Sequence, residues 1–148
     1  MSLKRVGLSA ALVAAAITGT VAATGSAALA TPPGPGVKGV IIWQKTVGDT
    51  DFILRDITIP AGQATGWHYH QGTLYAQVKN GTLSHFDSTC ASDGTYRKGQ
   101  FLSEPSGAGN VHIGRNLGAT DVVLEVLYVN PAGAPLSTDA PNPGCDFE

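Results

Sequence analysis

Apolar and polar residues alternate with a period of two along several short stretches of the chain, and glycine, proline or asparagine separates them. Such alternation places one face of a strand in a core and the other in water. Residues 40–44 form the first stretch and residues 52–59 the second, which ends at Pro60-Ala61-Gly62. Residues 65–70 and 74–79 follow. Asn80-Gly81 is a strong two-residue hairpin signal, so residues 82–86 are expected to return antiparallel to the preceding strand. Shorter β-favouring pieces surround Tyr96, Phe101-Leu102 and Val111-His112-Ile113, and the strongly apolar residues 122–129 run up to Pro131. Beyond residue 30 no window of comparable quality shows helical periodicity. Eight or so short strands predict an all-β domain, a single antiparallel β-barrel or jelly roll. Periodicity alone does not separate a barrel from a sandwich.

Composition agrees with many short elements joined by turns. The 148 residues include 19 glycines and nine prolines, and the chain is 43% hydrophobic but only 14% charged. No basic cluster marks a nucleic-acid surface, and the net charge of −2 is too weak for electrostatic steering. The first thirty residues differ in kind: Lys4 and Arg5 precede an Ala/Val/Leu-rich run that closes on Ala28-Leu29-Ala30, a small-x-small cleavage pattern. The run is only weakly hydrophobic for a membrane-spanning helix. A signal peptide over residues 1–30 is therefore expected, and with it a secreted, extracellular protein with no membrane attachment after cleavage. Residues 31–37 read as a stiff Pro/Gly linker, 38–133 as the β domain and 134–148 as a Pro-rich tail.

Export changes the meaning of the two cysteines. Cys90 and Cys145 both lie past the leader, and an oxidising compartment favours pairing them, which would staple the tail to the domain. Two free thiols, or a thiolate metal site, are the alternative.

Candidate chemistry rests on histidine. His68 and His70 sit two apart in Gly-Trp-His-Tyr-His, so on a strand they share a face while Trp67 and Tyr69 take the other. Two adjacent imidazoles repel when both are protonated and need partners when buried, and a divalent metal meets both needs. A bare His-x-His pair is often a chance occurrence. His112, in a second glycine-rich segment, strengthens it, because strands from different parts of an antiparallel barrel can face each other across its interior. Three neutral imidazoles would leave coordination positions open. His85 has no partner spacing and reads as a surface residue or one lying behind the ligands.

At this point the chain resembles the cupin family over most of its length past the leader. The first cupin motif is matched by Gly62, His68, His70 and Gly81, and the second by Gly99, Pro105, Gly107, His112 and Asn116, with four residues instead of the usual two before the histidine. The resemblance implies a small β-barrel in which His68, His70 and His112 bind one metal, with the glycines and Asn116 structural. One position departs: the glutamate ligand of the first motif falls on Leu74, which cannot coordinate. Glu104, beside Pro105, is a candidate replacement ligand or catalytic proton acceptor; its place at a strand end favours a plain solvent-facing charge.

Two readings compete. One is a secreted mononuclear metalloenzyme of dioxygenase type, holding Fe, Mn, Ni, Cu or Zn and acting on a small organic molecule in a pocket lined by Leu74, Ala76 and Val78. The other is a non-catalytic module that binds metal or a small ligand, which the missing glutamate favours. A sugar isomerase or epimerase would need a His base with a carboxylate partner, a pair that the spacing does not locate. No Ser-His-Asp or Cys-His arrangement is present to support nucleophilic hydrolysis. An apolar strand at 40–42 would suit a homodimer interface or an inner sheet position equally. Replacing His68, His70 or His112 with alanine is expected to cost most of the metal, and replacing His85 to cost none.

Overall fold

The computed structural model describes residues 29–148, so the expected leader lies outside the described residues except for Leu29 and Ala30. Its strands are β1 (Lys38–Val47), β2 (Thr50–Ile59), β3 (His68–Tyr69), β4 (Thr73–Asn80) and β5 (Thr82–Asp87), then β6 (Ser92–Arg97), β7 (Phe101–Glu104), β8 (His112–Arg115), β9 (Val122–Pro131) and β10 (Thr138–Asp139). They form two five-stranded antiparallel sheets, ordered β1-β2-β9-β4-β7 and β10-β3-β8-β5-β6. The architecture is a jelly-roll β-sandwich whose two sheets are not hydrogen-bonded into a closed barrel.

Period-two patterning decides what fills the sandwich. In β9 every second residue from Val122 to Asn130 is buried, and in β4 Leu74, Ala76 and Val78 turn inward while Tyr75 stays exposed. With Ile53 and Ile59 of β2, Leu83 of β5 and Leu102 of β7, these side chains make one continuous core between the sheets. Each fully buried aliphatic side chain there contributes roughly 1.5–3 kcal/mol of transfer free energy. On β1 the case is different: Val40, Ile41, Ile42 and Trp43 are each about half exposed, because β1 is the edge of its sheet and nothing covers it.

The Asn80-Gly81 expectation fails in an informative way. β4 and β5 do not pair; β4 lies between β9 and β7, and β5 between β8 and β6. Asn80-Gly81 is instead the corner at which the chain leaves one sheet for the other. Asn80 Nδ2 donates to the Asp121 carbonyl at 2.8 Å, and Gly81 adopts a φ of +74°. A Cβ at Gly81 would stand 2.7 Å from that same carbonyl, so the backbone closes onto the start of β9 and the following residues are directed away from β4. The tight two-residue turn is Gly48-Asp49, between paired Val47 and Thr50.

A second, smaller cluster covers the outer face of the β3–β8 sheet: Trp67, Ile113 and Ala140, with Phe86 and Phe147 against them. The segment before β1 takes part as well, since Thr31 N donates to Ala140 O at 3.0 Å and Trp67 N to Thr31 Oγ1 at 2.6 Å. Phe147 stacks on Trp67 with ring centroids 6.1 Å apart, and the Arg115 guanidinium lies 4.6 Å from the Phe147 ring centre. The tail that supplies Phe147 is tied down by a Cys90–Cys145 disulfide across 55 residues. Closing a loop of that length is worth about 4 kcal/mol in the chain-entropy view. Cys145→Ser is accordingly expected to lower unfolding stability by about 3–4 kcal/mol in a denaturant titration. Trp67 is 0% exposed under the tail and Trp43 already 50%, so the variant's emission should also shift to the red before global unfolding. An unchanged midpoint and spectrum would show that the tail holds itself down.

Candidate metal centre

β3 and β8 are neighbours in one sheet, and their single paired position is His68 with His112. The two imidazoles therefore sit side by side, not across the interior as the sequence suggested, with ring centroids 4.5 Å apart. His70 follows one residue after β3 on the same face, 4.8 Å from the His68 ring. Gly66 sets this up: its φ is +74°, and a Cβ there would meet the Thr31 carbonyl at 2.3 Å, so only glycine lets the chain enter β3 against residue 31.

What crosses the interior is a carboxylate. Glu104 ends β7 in the opposite sheet, pairs in register with Leu74 of β4, and is only 9% exposed. The solvent-facing position expected from the sequence is overturned. On β7 the inward residues are Leu102 and Glu104, while Phe101 is 70% exposed, so strand parity turns the carboxylate inward. Leu74 occupies the glutamate position of the first motif, and its cross-strand neighbour carries the carboxylate. Side chains directly opposite on antiparallel strands have Cβ atoms ~4.5–5.5 Å apart, a span that a glutamate covers.

Glu104 Oε2 lies 2.9 Å from Nε2 of both His70 and His112, and Oε1 lies 3.2 Å from His85 Nε2. The opposite ring nitrogens decide the proton positions. Nδ1 of His68 faces Gly66 O at 2.9 Å, Nδ1 of His70 faces Leu136 O at 2.6 Å, and Nδ1 of His112 faces Asn110 O at 2.8 Å. A carbonyl only accepts, so each Nδ1–H donates, and a ring that is neutral presents a bare Nε2 lone pair to the site. Anchoring one imidazole nitrogen on a carbonyl is also how metal-binding histidines are oriented.

Bare lone pairs facing an ionised carboxylate repel unless a cation lies among them. Nε2 of His70, of His85 and of His112 are buried without any partner aligned for a hydrogen bond, despite contacts of 2.9, 3.2 and 2.9 Å with Glu104. The donor atoms of His68, His70, Glu104 and His112 lie within 4.8 Å of one another. Donors bound at ~2.0–2.2 Å to one ion are at most ~4.4 Å apart, so small side-chain rotations suffice to gather them. The set fits a divalent transition metal, with imidazole nitrogen suiting Fe, Ni, Cu or Zn and a carboxylate also admitting Mn.

For His68 the electrostatics agree with a neutral ring. Burial, then the neighbouring His112 and His70, push the His68 pKa down to about 3, so its ring is neutral in neutral solution. Burial alone would raise the Glu104 pKa, but the imidazoles of His112, His70 and His85 outweigh it and hold the carboxyl well below its usual value. His85 is not a surface residue: it is buried, with Nδ1 2.6 Å from Asp93 Oδ1 and Nε2 toward Glu104. Its burial lowers its pKa, yet the two carboxylates overcome that and raise it. His85 thus holds Glu104 from behind.

A cavity of about 150 Å³ opens between the sheets in front of this group, reached by His68, His70 and Glu104. Leu74 and Ala76 line it as expected, together with Ile57, Leu124, Val126 and Tyr128, whereas Val78 continues into the core. Trp67 lies on the outer face, as strand parity requires. Asn116 is buried and acts structurally, donating from Nδ2 to Ile59 O at 2.9 Å and to Thr120 O at 2.8 Å. Arg55 and Tyr128 also reach the cavity, and the sequence reading missed both. Their signal was parity: Arg55 alternates with Ile53 and Ile57, and Tyr128 with Leu124 and Val126.

The register gives a direct test of the carboxylate. Glu104→Leu is expected to strip most of the metal from the protein, and Leu74→Glu added to Glu104→Leu to restore it, read by metal content after dialysis. His85→Ala, in contrast to the expectation from sequence, should weaken metal binding by about 10- to 100-fold, because it removes the group that orients Glu104. Full metal content in Glu104→Leu would contradict the assignment.

No protein-family model matches the sequence, and no curated protein matches it. Solved structures do. A protein with a double-stranded β-helix domain from Klebsiella pneumoniae superposes with a TM-score of 0.56 at 19% identity, covering 73% of this chain and 88% of that one. A cupin domain from Bordetella pertussis gives 0.52 at 18% identity, over 65% of this chain and 95% of that one. The DMSP lyase DddQ from Ruegeria pomeroyi gives 0.56 at 15% identity, over 67% of this chain and 49% of the lyase. The fold is that of the cupins, the double-stranded β-helix.

Proposed function

We propose that this protein is an exported metal-dependent cupin enzyme acting on a small organic substrate, and that with a redox-active metal it is an oxidoreductase of dioxygenase type. The observation that carries the reading is the buried Glu104 carboxylate completing a three-histidine group that faces a cavity. A non-catalytic module was favoured by the loss of the first-motif glutamate, and Glu104 removes that reason. A metal held there supplies a Lewis acid and, if it is iron or another redox-active ion, a site for dioxygen chemistry.

The chain's own residues do the rest. Nδ1–H bonds to carbonyls fix the three imidazoles, and His85 with Asp93 fixes Glu104. Leu74, Ala76, Leu124 and Val126 give the cavity one apolar wall, against which the body of a substrate would pack. Tyr128, whose pKa burial pushes up to about 12, stays protonated and offers a hydroxyl beside His70. Export is supported by the leader pattern and is compatible with the disulfide.

The test is metal content of untagged protein purified from the periplasm, followed by oxygen uptake with catechols, diketones and flavonols. About one equivalent of iron, manganese, nickel or copper is expected, with turnover lost on chelation and regained on metal return. Turnover that survives chelation, or a loaded protein inert to every substrate class, would sink the enzyme reading.

A further inference from the structure

Three charged residues outside the metal group line the cavity, Lys38, Arg55 and Asp139, and of these Arg55 lies on an inward-facing strand position. Arg55 alternates along β2 with Ile53, Ile57 and Ile59, so strand parity turns it toward the interior and not toward solvent. Its guanidinium occupies the space that a side chain at position 39 would fill: a Cβ on Gly39 would stand 1.9 Å from Arg55 Nε and 2.1 Å from Cζ. From there it reaches the cavity that His68, His70 and Glu104 also line. Glycine on β1 makes room for an inward arginine.

A permanent cation at such a position normally has a carboxylate partner. Arg55 has none. Among the described residues the ion pairs within 4.0 Å are those of His70, His85 and His112 with Glu104, His85 with Asp93, and Lys79 with Glu125. Glu104 is committed to the histidines, and Asp139, which also lines the cavity, lies beyond ion-pair distance. The Tyr128 hydroxyl lines the same cavity, and the guanidinium acts to lower its pKa against a dominant effect of burial. Two donors, one a fork suited to two oxygens, thus line the cavity in front of the metal group.

We propose that Arg55, with the Tyr128 hydroxyl, binds the anionic end of a small organic carboxylate, directing its apolar body along Leu124 and Val126 toward the histidines. The proposal rests on the metal-enzyme reading for what happens next, but binding of the carboxylate stands apart from it. Arg55 is on this account a specificity residue for carboxylates over neutral analogues of the same shape.

Calorimetric titration of the metal-loaded protein with butyrate and with butyramide tests this, alongside Arg55→Gln and Gly39→Ala, with metal content measured on every sample. Gln removes the charge at a half-buried position. Ala at 39 collides only with the far end of a flexible side chain, so it displaces the guanidinium without touching a metal ligand. Butyrate is expected to bind more tightly than butyramide, and each variant to lose about 10- to 100-fold in butyrate affinity with metal content unchanged. Equal affinity for acid and amide, no binding of either, or unaltered butyrate binding in Arg55→Gln would overturn the proposal while leaving the metal centre intact. A protein that takes up no metal yet still prefers butyrate through Arg55 would support the proposal, and its failure to bind metal would overturn the metal reading instead.

Discussion

The structure depends on one buried charge. Glu104 is out of water between two sheets, and burying an isolated carboxylate costs far more than a single domain's net stability. Of the imidazoles around it, His85 is the one whose proton affinity the carboxylates raise, while His68, His70 and His112 give their Nδ1–H to carbonyls and turn toward it lone pairs that gain nothing from an anion. A cation held in common by Glu104, His68, His70 and His112 resolves both problems at once. The same group without an ion would be a cost that the apolar core has to offset.

Much of the surrounding fold exists to hold that arrangement. Backbone carbonyls at Gly66, Asn110 and Leu136 each take an Nδ1–H, so the loops around β3, β8 and β10 are part of the site's geometry. Leu136 belongs to the stretch leading to β10, and beyond β10 the tail is secured by Cys145 and by Phe147 on Trp67. The face behind the histidines is therefore covered by residues 134–148, far from them in sequence. The tail thus reaches both faces, with Leu136 O holding His70 on the inner one and Phe147 covering Trp67 on the outer.

How much of this was legible in the sequence follows from what each signal measures. Period-two patterning found β2, β4 and β9 because one face of each is buried in the core, and the same parity placed His68, His70, Leu74 and Ala76 on the inner face. It missed β10, a two-residue strand whose pairing with β3 is set by the tail's tertiary anchoring. Asn80-Gly81 misled because a hairpin and a sheet-to-sheet corner ask for the same turn residues, and only packing against Asp121 and Val122 distinguishes them. Glu104 was misjudged for a related reason. Its partners His70, His85 and His112 come from other strands, and cross-strand register between β4 and β7 cannot be read from spacing along one of them. The cysteine pair was readable because only two cysteines exist and the expected export favours pairing them over free thiols or a thiolate site.

X-ray absorption at the metal edge of the loaded protein, compared with the Glu104→Gln variant, tests the central claim most directly. The account predicts three imidazole nitrogens and one carboxylate oxygen at ~2.0–2.2 Å, with the oxygen signal lengthened or lost in the variant. Two or fewer imidazoles, or a spectrum that Glu104→Gln leaves unchanged, would place the metal elsewhere and contradict it.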